Sequence, residues 1–271
     1  MKIKITNKYV WRQYFELLGK IGTILGIASI FVSIQDSCKI FYGFIIFIFL
    51  IILLVLIILK ANYKSRLVLI INSKKVNIYF GDIFETNGLK LIPFNEYFDT
   101  LVDDLIISKK SLNGKFIEKF YSDVTQLDSY ISEALKLKSH ELNSNRSKGK
   151  KEKYALGTTI EIEHEYLLSA FTHFDERNRA FLDKGEYLQY LNNMWDEVNV
   201  IYASRNINIP LIGSGITRVG ASMTLQDYLE QILFSIKFSN IKMDHTSCIN
   251  IILNESIKDE INLFNIKNNF N

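Results

Sequence analysis

An uninterrupted apolar stretch near the amino terminus constrains this chain more than any other feature. Residues 40–59 carry no charge, and only Tyr42 and Gly43 among them are not strongly apolar. A helix rises about 1.5 Å per residue, so a stretch of this length covers the roughly 30 Å hydrocarbon core of a bilayer. A buried helix of a soluble protein is disfavoured because the apolar surface runs all the way round. The stretch therefore predicts a membrane-spanning helix.

A shorter apolar segment precedes it. Residues 21–34 carry no charge, and extension back to Phe15 adds Glu16 and Lys20 in the first turns, where Lys20 can reach the headgroups. A short connection, residues 35–39, separates the two segments, which predicts a transmembrane hairpin with spans at about 15–34 and 40–59. The alternative is a signal peptide. It is disfavoured because the second segment is too long for a signal core.

Basic residues on both outer flanks set the predicted orientation. The loop between the two segments holds a single Lys, so both flanks are expected on the cytoplasmic side. We therefore expect a multi-pass protein of the cell membrane with both termini in the cytoplasm. Residues 1–64 would form the basic tail and the hairpin, and residues 65–271 a cytoplasmic domain. The flanking basic residues are Lys2, Lys4, Lys8, Arg12, Lys60, Lys64 and Arg66.

The first predicted span carries a seam of small residues, spaced three or four apart so that they share one helix face. In lipid such seams let two helix backbones approach closely. The seam either seats the second helix of the same chain or packs between protomers, and the sequence leaves both interpretations open. Its members are Gly19, Gly22, Gly26, Ser29 and Ser33.

Composition limits the classes of function. The formal net charge is +3 and much of the excess lies beside the membrane segments, which is too little for a nucleic-acid-binding surface. Cys38 and Cys248 would lie on opposite sides of the membrane, and no CxxC motif or Cys/His cluster offers a metal site. We therefore expect no metal, no cofactor and no nucleic-acid partner.

Downstream of the hairpin, strand-like and helix-like segments alternate, which is typical of an α/β domain. About 200 residues suit one domain with a sizeable core. Residues 142–153 are polar and basic, which predicts a solvated loop. Predicted strands are 66–72, 75–80, 89–92, 154–163, 166–171, 208–212 and 248–253, and predicted helices are 124–137, 179–203 and 225–238.

Two strand ends carry residues with possible chemistry. In residues 210–220 an apolar strand runs into Gly213 and Gly215 before a helix that opens at Thr224; such a turn can aim backbone N–H groups at a diphosphate, or can be only a connection. The other strand ends in Gly81 and Asp82. That carboxylate can accept from an adenine amine, or can cap the following turn.

These features together resemble the macro domain, a three-layer α/β/α module that binds ADP-ribose. The similarity rests on Gly81-Asp82-Ile83, on a loop with Asn95, and on the later turn Gly213-Ser214-Gly215-Ile216. Segments 172–178 and 209–218, with the predicted helix pair, are similar to Thoeris-type anti-phage effectors, which carry a divergent macro domain behind two membrane helices. The fold class implied for the whole chain is α/β, an N-terminal transmembrane hairpin followed by a macro-like three-layer domain.

The resemblance also implies a site. Adenine would be held by Asp82 and the N–H of Ile83. The chain departs from the family pattern in the distal-ribose loop: ordinary macro domains have an Asn-Ala-Ala-Asn-like loop where this chain has Pro93-Phe94-Asn95-Glu96. The implied distal-ribose residues are Phe94, Asn95, Asn113 and Gly114. The implied diphosphate residues are Gly213, Ser214, Gly215, Ile216, Thr217 and Arg218, and the candidates for contact with a group on the distal ribose are His173, Asp175 and Asn178.

The function implied is a defence effector rather than an enzyme. A partner TIR-domain enzyme would make an ADP-ribose-derived signal from NAD, and its binding would drive homo-oligomerisation and disruption of the lipid bilayer. The alternative is a membrane-tethered ADP-ribosyl hydrolase, which needs a positioned acid or base. Asp99, Asp103 and Asp104 are candidates for that role by position alone. A simple anchor that binds a protein partner is a third possibility.

Overall fold

The computed structural model describes residues 3–31, 35–215, 218–219 and 223–270, which form two compact units. One unit contains residues 1–67 and 258–271, and the other contains residues 68–257. The helices are α1 (Lys8–Ala28), α2 (Asp36–Asn62), α3 (Leu112–Phe120), α4 (Val124–Leu135), α5 (Lys184–Ile201), α6 (Leu225–Phe238) and α7 (Leu263–Phe270). The strands are β1 (Arg66–Ile71), β2 (Lys74–Phe80), β3 (Leu89–Asn95), β4 (His140–Leu142), β5 (Glu152–Tyr154), β6 (Thr159–Ile162), β7 (Tyr166–Phe174), β8 (Ala180–Leu182), β9 (Ile207–Pro210), β10 (Arg218–Val219) and β11 (Ile249–Leu253).

The first unit contains one helix, α2, that is long and apolar enough to cross a membrane among the described residues. Helix α1 begins at Lys8, earlier than predicted, because Asn7 caps it by accepting a hydrogen bond from the N–H of Tyr9. Its first half therefore includes Arg12 and Glu16, which form an exposed ion pair. The predicted two-span hairpin is not confirmed, and its residues 32–34 lie outside the described residues.

The amino-terminal helices share a small apolar cluster with the carboxyl-terminal helix α7. Phe264 of α7 packs in this cluster with Val10 of α1 and Ala61 of α2. The side-chain amide of Asn7 donates to the amide oxygen of Asn265 at 3.0 Å. Residues 258–271, which include α7, therefore group with this unit.

The glycine seam of α1 is open. A Cβ atom built on Gly19, Gly22 or Gly26 would meet nothing within 4 Å in the described chain. Because α2 does not fill the space, the seam does not seat the second helix in this structure, and Ser33 lies outside the described residues.

The second unit is built on a mixed sheet with the strand order β1-β2-β11-β9-β3-β7-β8-β10, with β6 paired to the side of β7. β2, β11, β9, β3 and β7 run parallel, while β6 and β8 each run antiparallel to β7. Asn72 and Ser73, between β1 and β2, both have positive φ, as a tight two-residue hairpin turn requires. The parallel strands therefore end at one common edge.

Helices cover both faces of this sheet. On one side α3 and α4 pack over β3, β6 and β7 around Phe94, Phe116 and Leu168. On the other side α5 packs against α6, and the buried Trp195 donates to the hydroxyl of Ser235 at 2.9 Å. The predicted α/β domain with helices on both faces is confirmed.

A ladder of buried asparagines crosses three of the parallel strands. Asn77 of β2, Asn250 of β11 and Asn208 of β9 are paired in register. The amide of Asn77 donates to Asn250 at 2.8 Å, and that of Asn250 donates to Asn208 at 2.8 Å. Asn208 in turn donates to the carbonyls of Asn87 and Leu89, so each amide in the row finds partners inside the protein.

Candidate ligand-binding site

A cavity of about 1320 Å³ lies along one edge of the sheet in the second unit. Its wall follows the carboxyl ends of the parallel strands in the order β2, β11, β9, β3 and β7. Neighbouring strands are about 4.8 Å apart, so the four spacings make this wall about 19 Å long. We call it the strand-end cavity, and it has room for an elongated ligand. Its strand-end segments are 81–84, 254–257, 211–215, 93–95 and 171–172.

The glycine turn after β9 lies at the middle of this wall. Gly213 has φ of +90°, and a Cβ atom there would come within 2.8 Å of the ring of Tyr228. Burial raises the pKa of Tyr187, so its phenol stays protonated and donates to the carbonyl of Ile212 at 2.9 Å. The hydroxyl of Ser214 donates back to the carbonyl of Leu211 at 2.6 Å. The hydroxyl proton of Ser214, a residue implied to contact the diphosphate, is therefore used within the turn.

The exposed part of the turn faces open space. Gly215 lines the strand-end cavity, and a Cβ atom there would meet nothing within 4 Å. Ile216 and Thr217, which were predicted to continue the diphosphate loop, lie outside the described residues. The backbone of Arg218, in β10, pairs with that of Phe181 in β8.

The end of β2 supplies Asp82 and Ile83, which both line the cavity. Asp82 accepts a hydrogen bond from the N–H of Phe84 at 2.9 Å and so caps the 3-10 helix Ile83–Glu85. The cap that the sequence left as an alternative is therefore present. Asp82 is nevertheless exposed, so its second carboxylate oxygen is accessible from the cavity.

The end of β3 supplies Phe94 and Asn95 at a register shift between β3 and β7. Asn95 is 2% exposed, and its amide oxygen accepts from the N–H of Tyr97 at 3.0 Å. Its amide nitrogen donates to the carboxylate of Asp99 at 3.0 Å. Asn95 therefore shapes the wall, and most of its own hydrogen-bonding capacity is used within the turn.

The segment before α3 also lines the cavity. Ser111 caps the helix by accepting from the N–H of Gly114 at 3.1 Å, and its hydroxyl donates to Asn113 at 2.6 Å. Asn113 lines the cavity, but Gly114 is not among the described lining residues. A Cβ atom on Gly114 would lie 2.2 Å from the carbonyl oxygen of Ser108, so this glycine permits close packing of the backbone.

The distal-group candidates separate into two sets. Asp175 and Asn178, in the turn between β7 and β8, line the strand-end cavity, whereas His173 is not among its lining residues. The ring nitrogens of His173 instead face two carboxylates, Nδ1 that of Glu96 and Nε2 that of Glu186 at 3.2 Å. The hydrogen bond with Glu96 raises the pKa of His173.

The acids nominated for a hydrolase each accept hydrogen bonds within the fold. Asp99 is buried and forms an ion pair with Arg146 at 2.6 Å. The N–H of Ile106 donates to Asp103 at 2.7 Å and lowers the pKa of that carboxyl. Asp104 lines the cavity and accepts from a backbone N–H. Within the described part of the chain no three His, Cys, Asp or Glu side chains form a group that could hold a metal ion.

Sequence reasoning missed two parts of the wall. Helix α3 was not predicted, although Ser111 followed by Leu112, Phe116 and Ile117 has the spacing of a capped amphipathic helix. Residues 254–257 also line the cavity after β11, and no local pattern distinguishes them from an ordinary exposed turn. The basic loop 142–153 was predicted to be solvated, but Arg146 is buried in it because the side chain pairs with Asp99.

Comparison with known proteins assigns this chain to a family. The family model described as Thoeris protein ThsA, Macro domain, matches residues 76–254. A Thoeris protein ThsA from Bacillus amyloliquefaciens (strain Y2) is 36% identical over 269 residues, which cover 97% of this chain and 90% of the relative. The chain belongs to the Thoeris ThsA family. The resemblance to Thoeris effectors and the macro-type domain are thereby confirmed for this ThsA-family chain.

Two solved structures are similar to this ThsA-family chain at a lower level. A mutant Oceanobacillus iheyensis macrodomain with ADPR shares 12% identity at a TM-score of 0.49, covering 76% of this chain and 98% of its own. The Oceanobacillus iheyensis macrodomain with ADP shares 12% identity at a TM-score of 0.46, covering 76% and 94%. At this level of similarity they assign no ligand to this chain.

Proposed function

We propose that this chain is a membrane-anchored anti-phage effector whose macro domain binds an ADP-ribose-derived signal. The length and position of the strand-end cavity carry the proposal. Its wall runs about 19 Å along the ends of parallel strands, with a glycine turn at the middle and polar side chains at both ends. A ligand with two polar ends joined by a diphosphate fits that distribution.

Each part of the ligand has a matching segment. Asp82 and the N–H of Ile83 would hold the adenine at the β2 end, since the first N–H groups of a short helix have no partner within it. The turn from Gly213 onward would wrap the diphosphate with its backbone N–H groups. The distal ribose would lie between Asn95 and Asn113 and reach the turn that carries Asp175 and Asn178, and a group attached to the ribose would meet the same turn.

Signal binding would act on the membrane through assembly. A ligand can drive association only by binding the assembled form more tightly than the single chain. The open glycine seam of α1 is available for contact between protomers, and α2 has the length to anchor each chain in the bilayer. In this proposal α1 joins α2 as a second span on activation, and the assembled helices disrupt the membrane. The signal would come from a TIR-domain enzyme.

Calorimetry and vesicle leakage test the proposal together. The full chain in detergent is the proper material, because α7 packs with the amino-terminal helices and a fragment would expose that surface. We expect ADP-ribose conjugates to bind, and we expect them to trigger dye release from vesicles that contain the protein. If no such conjugate binds at millimolar concentration, the receptor function is excluded.

Gly215 offers a substitution that separates binding from folding. Its Cβ would point into open space, so Gly215→Glu should fold normally while placing a negative charge beside the diphosphate. Repulsion by one charge at close range predicts at least a tenfold loss of affinity in calorimetry. Gly215→Ala is the matched control and should bind within about threefold of the parent. Equal affinities for Gly215→Glu and Gly215→Ala would contradict a diphosphate at this turn.

A further inference from the structure

Arg146 is a buried cation on an otherwise solvated loop. Its side chain is 5% exposed, and that of its partner Asp99 is 2% exposed. The two guanidinium ends contact the two carboxylate oxygens, with Nη2–Oδ2 at 2.6 Å and Nη1–Oδ1 at 3.2 Å. The guanidinium also stacks on the ring of Tyr97, 3.9 Å from its centroid. This geometry fixes the planar group in one orientation.

The pair is a poor device for stability alone. Removing two charges from water costs about as much as their attraction returns, and an apolar pair of similar volume often serves a fold better. In addition, Nε of Arg146 is buried with no hydrogen-bond partner in the described part of the chain. A charge kept under these conditions points to a task beyond packing.

Beyond Asp99, the guanidinium of Arg146 donates to the backbone carbonyl of Lys150 and to Asn178, and the second contact leads to the strand-end cavity. Its Nη2 donates to the side-chain oxygen of Asn178 at 2.8 Å, and Asn178 lines the cavity. Arginine has donors and no acceptor, so the atom of Asn178 that faces it must be the amide oxygen. The amide nitrogen, with its two N–H donors, therefore points away from Arg146.

We propose that Arg146 is a positioning residue that presents the amide nitrogen of Asn178 as a hydrogen-bond donor to the distal end of the ligand. The ligand must carry an acceptor oxygen there, such as a hydroxyl or carboxylate beyond the diphosphate. Asp99 completes the arrangement, because its Oδ2 accepts both from Nη2 of Arg146 and from the amide nitrogen of Asn95. The inference rests on the proposed function and assigns specificity within that site.

Comparison of two ligands measures this role directly in the full chain in detergent. ADP-ribose carries the distal sugar and ADP lacks it, so the ratio of their affinities reports the distal contact. Asn178→Asp keeps an oxygen that accepts from Arg146, but it replaces the amide nitrogen, a donor, by a second oxygen, which can only accept. We expect it to weaken ADP-ribose about three- to tenfold and to leave ADP unchanged. An unchanged ratio in Asn178→Asp would overturn the proposal.

Arg146→Lys tests the positioning step. Lysine keeps the charge but cannot hold Asp99 with two parallel bonds and reach Asn178 as well, so the ratio should fall as in Asn178→Asp. In an Asn178→Ala background, Arg146→Lys should leave the ratio unchanged, since the residue it positions is gone. If Arg146 had a purely structural role, Arg146→Lys would instead weaken the binding of both ligands equally, and this result would overturn the proposal. Failure of the parent chain to bind either ligand would count against the proposed function itself.

Discussion

His173 is held by carboxylates on both sides, and this makes its environment dependent on pH. Glu96 and Glu186 face its two ring nitrogens, and Lys153 lies close to Glu96 at 3.4 Å. Both nitrogens can donate only when the imidazole is protonated, and the hydrogen bond with Glu96 raises the pKa of His173 above its usual 6.5. A group with a raised pKa in the folded state contributes stability that is fully present below its unfolded pKa.

We therefore expect thermal stability to fall as pH rises through the folded pKa of His173. Melting curves of the full chain in detergent from about pH 6 to pH 9 measure the effect. His173→Gln should reduce this dependence, because the group that titrates is removed. His245, which is exposed, provides the matched control, and His245→Gln should keep the parental slope. A slope that His173→Gln leaves intact would mean that another group is responsible.

At the residue scale, the sequence predicted positions that depend on the local backbone. Asp82 and Gly213 follow strands, and a strand end is visible in the sequence, so their approach to one edge of the sheet could be inferred. Arg146 could not be found in this way. Its partner Asp99 lies 47 residues earlier, and the surrounding basic residues are typical of a solvated loop.

At the scale of elements, the asparagine ladder links three strands of the sheet. Replacing Asn250 by Ala would leave the amide nitrogen of Asn77 and the amide oxygen of Asn208 without these partners in a buried site. We expect a loss of about 2–4 kcal/mol in the free energy of unfolding, measured by urea unfolding in detergent. Asn192, exposed on α5, is the control, and Asn192→Ala should change stability by no more than about 0.5 kcal/mol. Equal losses in the two variants would show that the ladder contributes nothing.

Elements with both a cap and an apolar repeat could be predicted closely. Helix α6 has the predicted bounds because Thr224 and Asp227 form a capping box before the apolar repeat. Helix α5 starts at Lys184, later than the predicted residue 179, because Asp183 and Glu186 form such a box and the preceding residues pair as β8. Tertiary pairing of this kind has no local signal.

At the scale of the whole molecule, two covalent connections join the units, at residues 67–68 and 257–258. The second begins at the strand-end cavity, which residues 254–257 line. After residues 258–262 the chain enters α7, where Phe264 packs with Val10 and Ala61. Any ligand-induced shift of that wall would therefore reach the amino-terminal helices through a very short segment.

Lengthening this segment should separate signal binding from the membrane response. Asp259 and Glu260 are exposed in a turn, so about six Gly and Ser residues inserted between them should be tolerated. A flexible insertion absorbs displacement, so we expect unchanged affinity for the ADP-ribose conjugate and a several-fold loss of ligand-induced vesicle leakage. The same insertion between Ala203 and Ser204, an exposed turn before β9, should preserve both. If the variant with the first insertion shows the same ligand-induced vesicle leakage as the parent chain, the signal must travel through the connection after α2, since this is the other covalent route between the units.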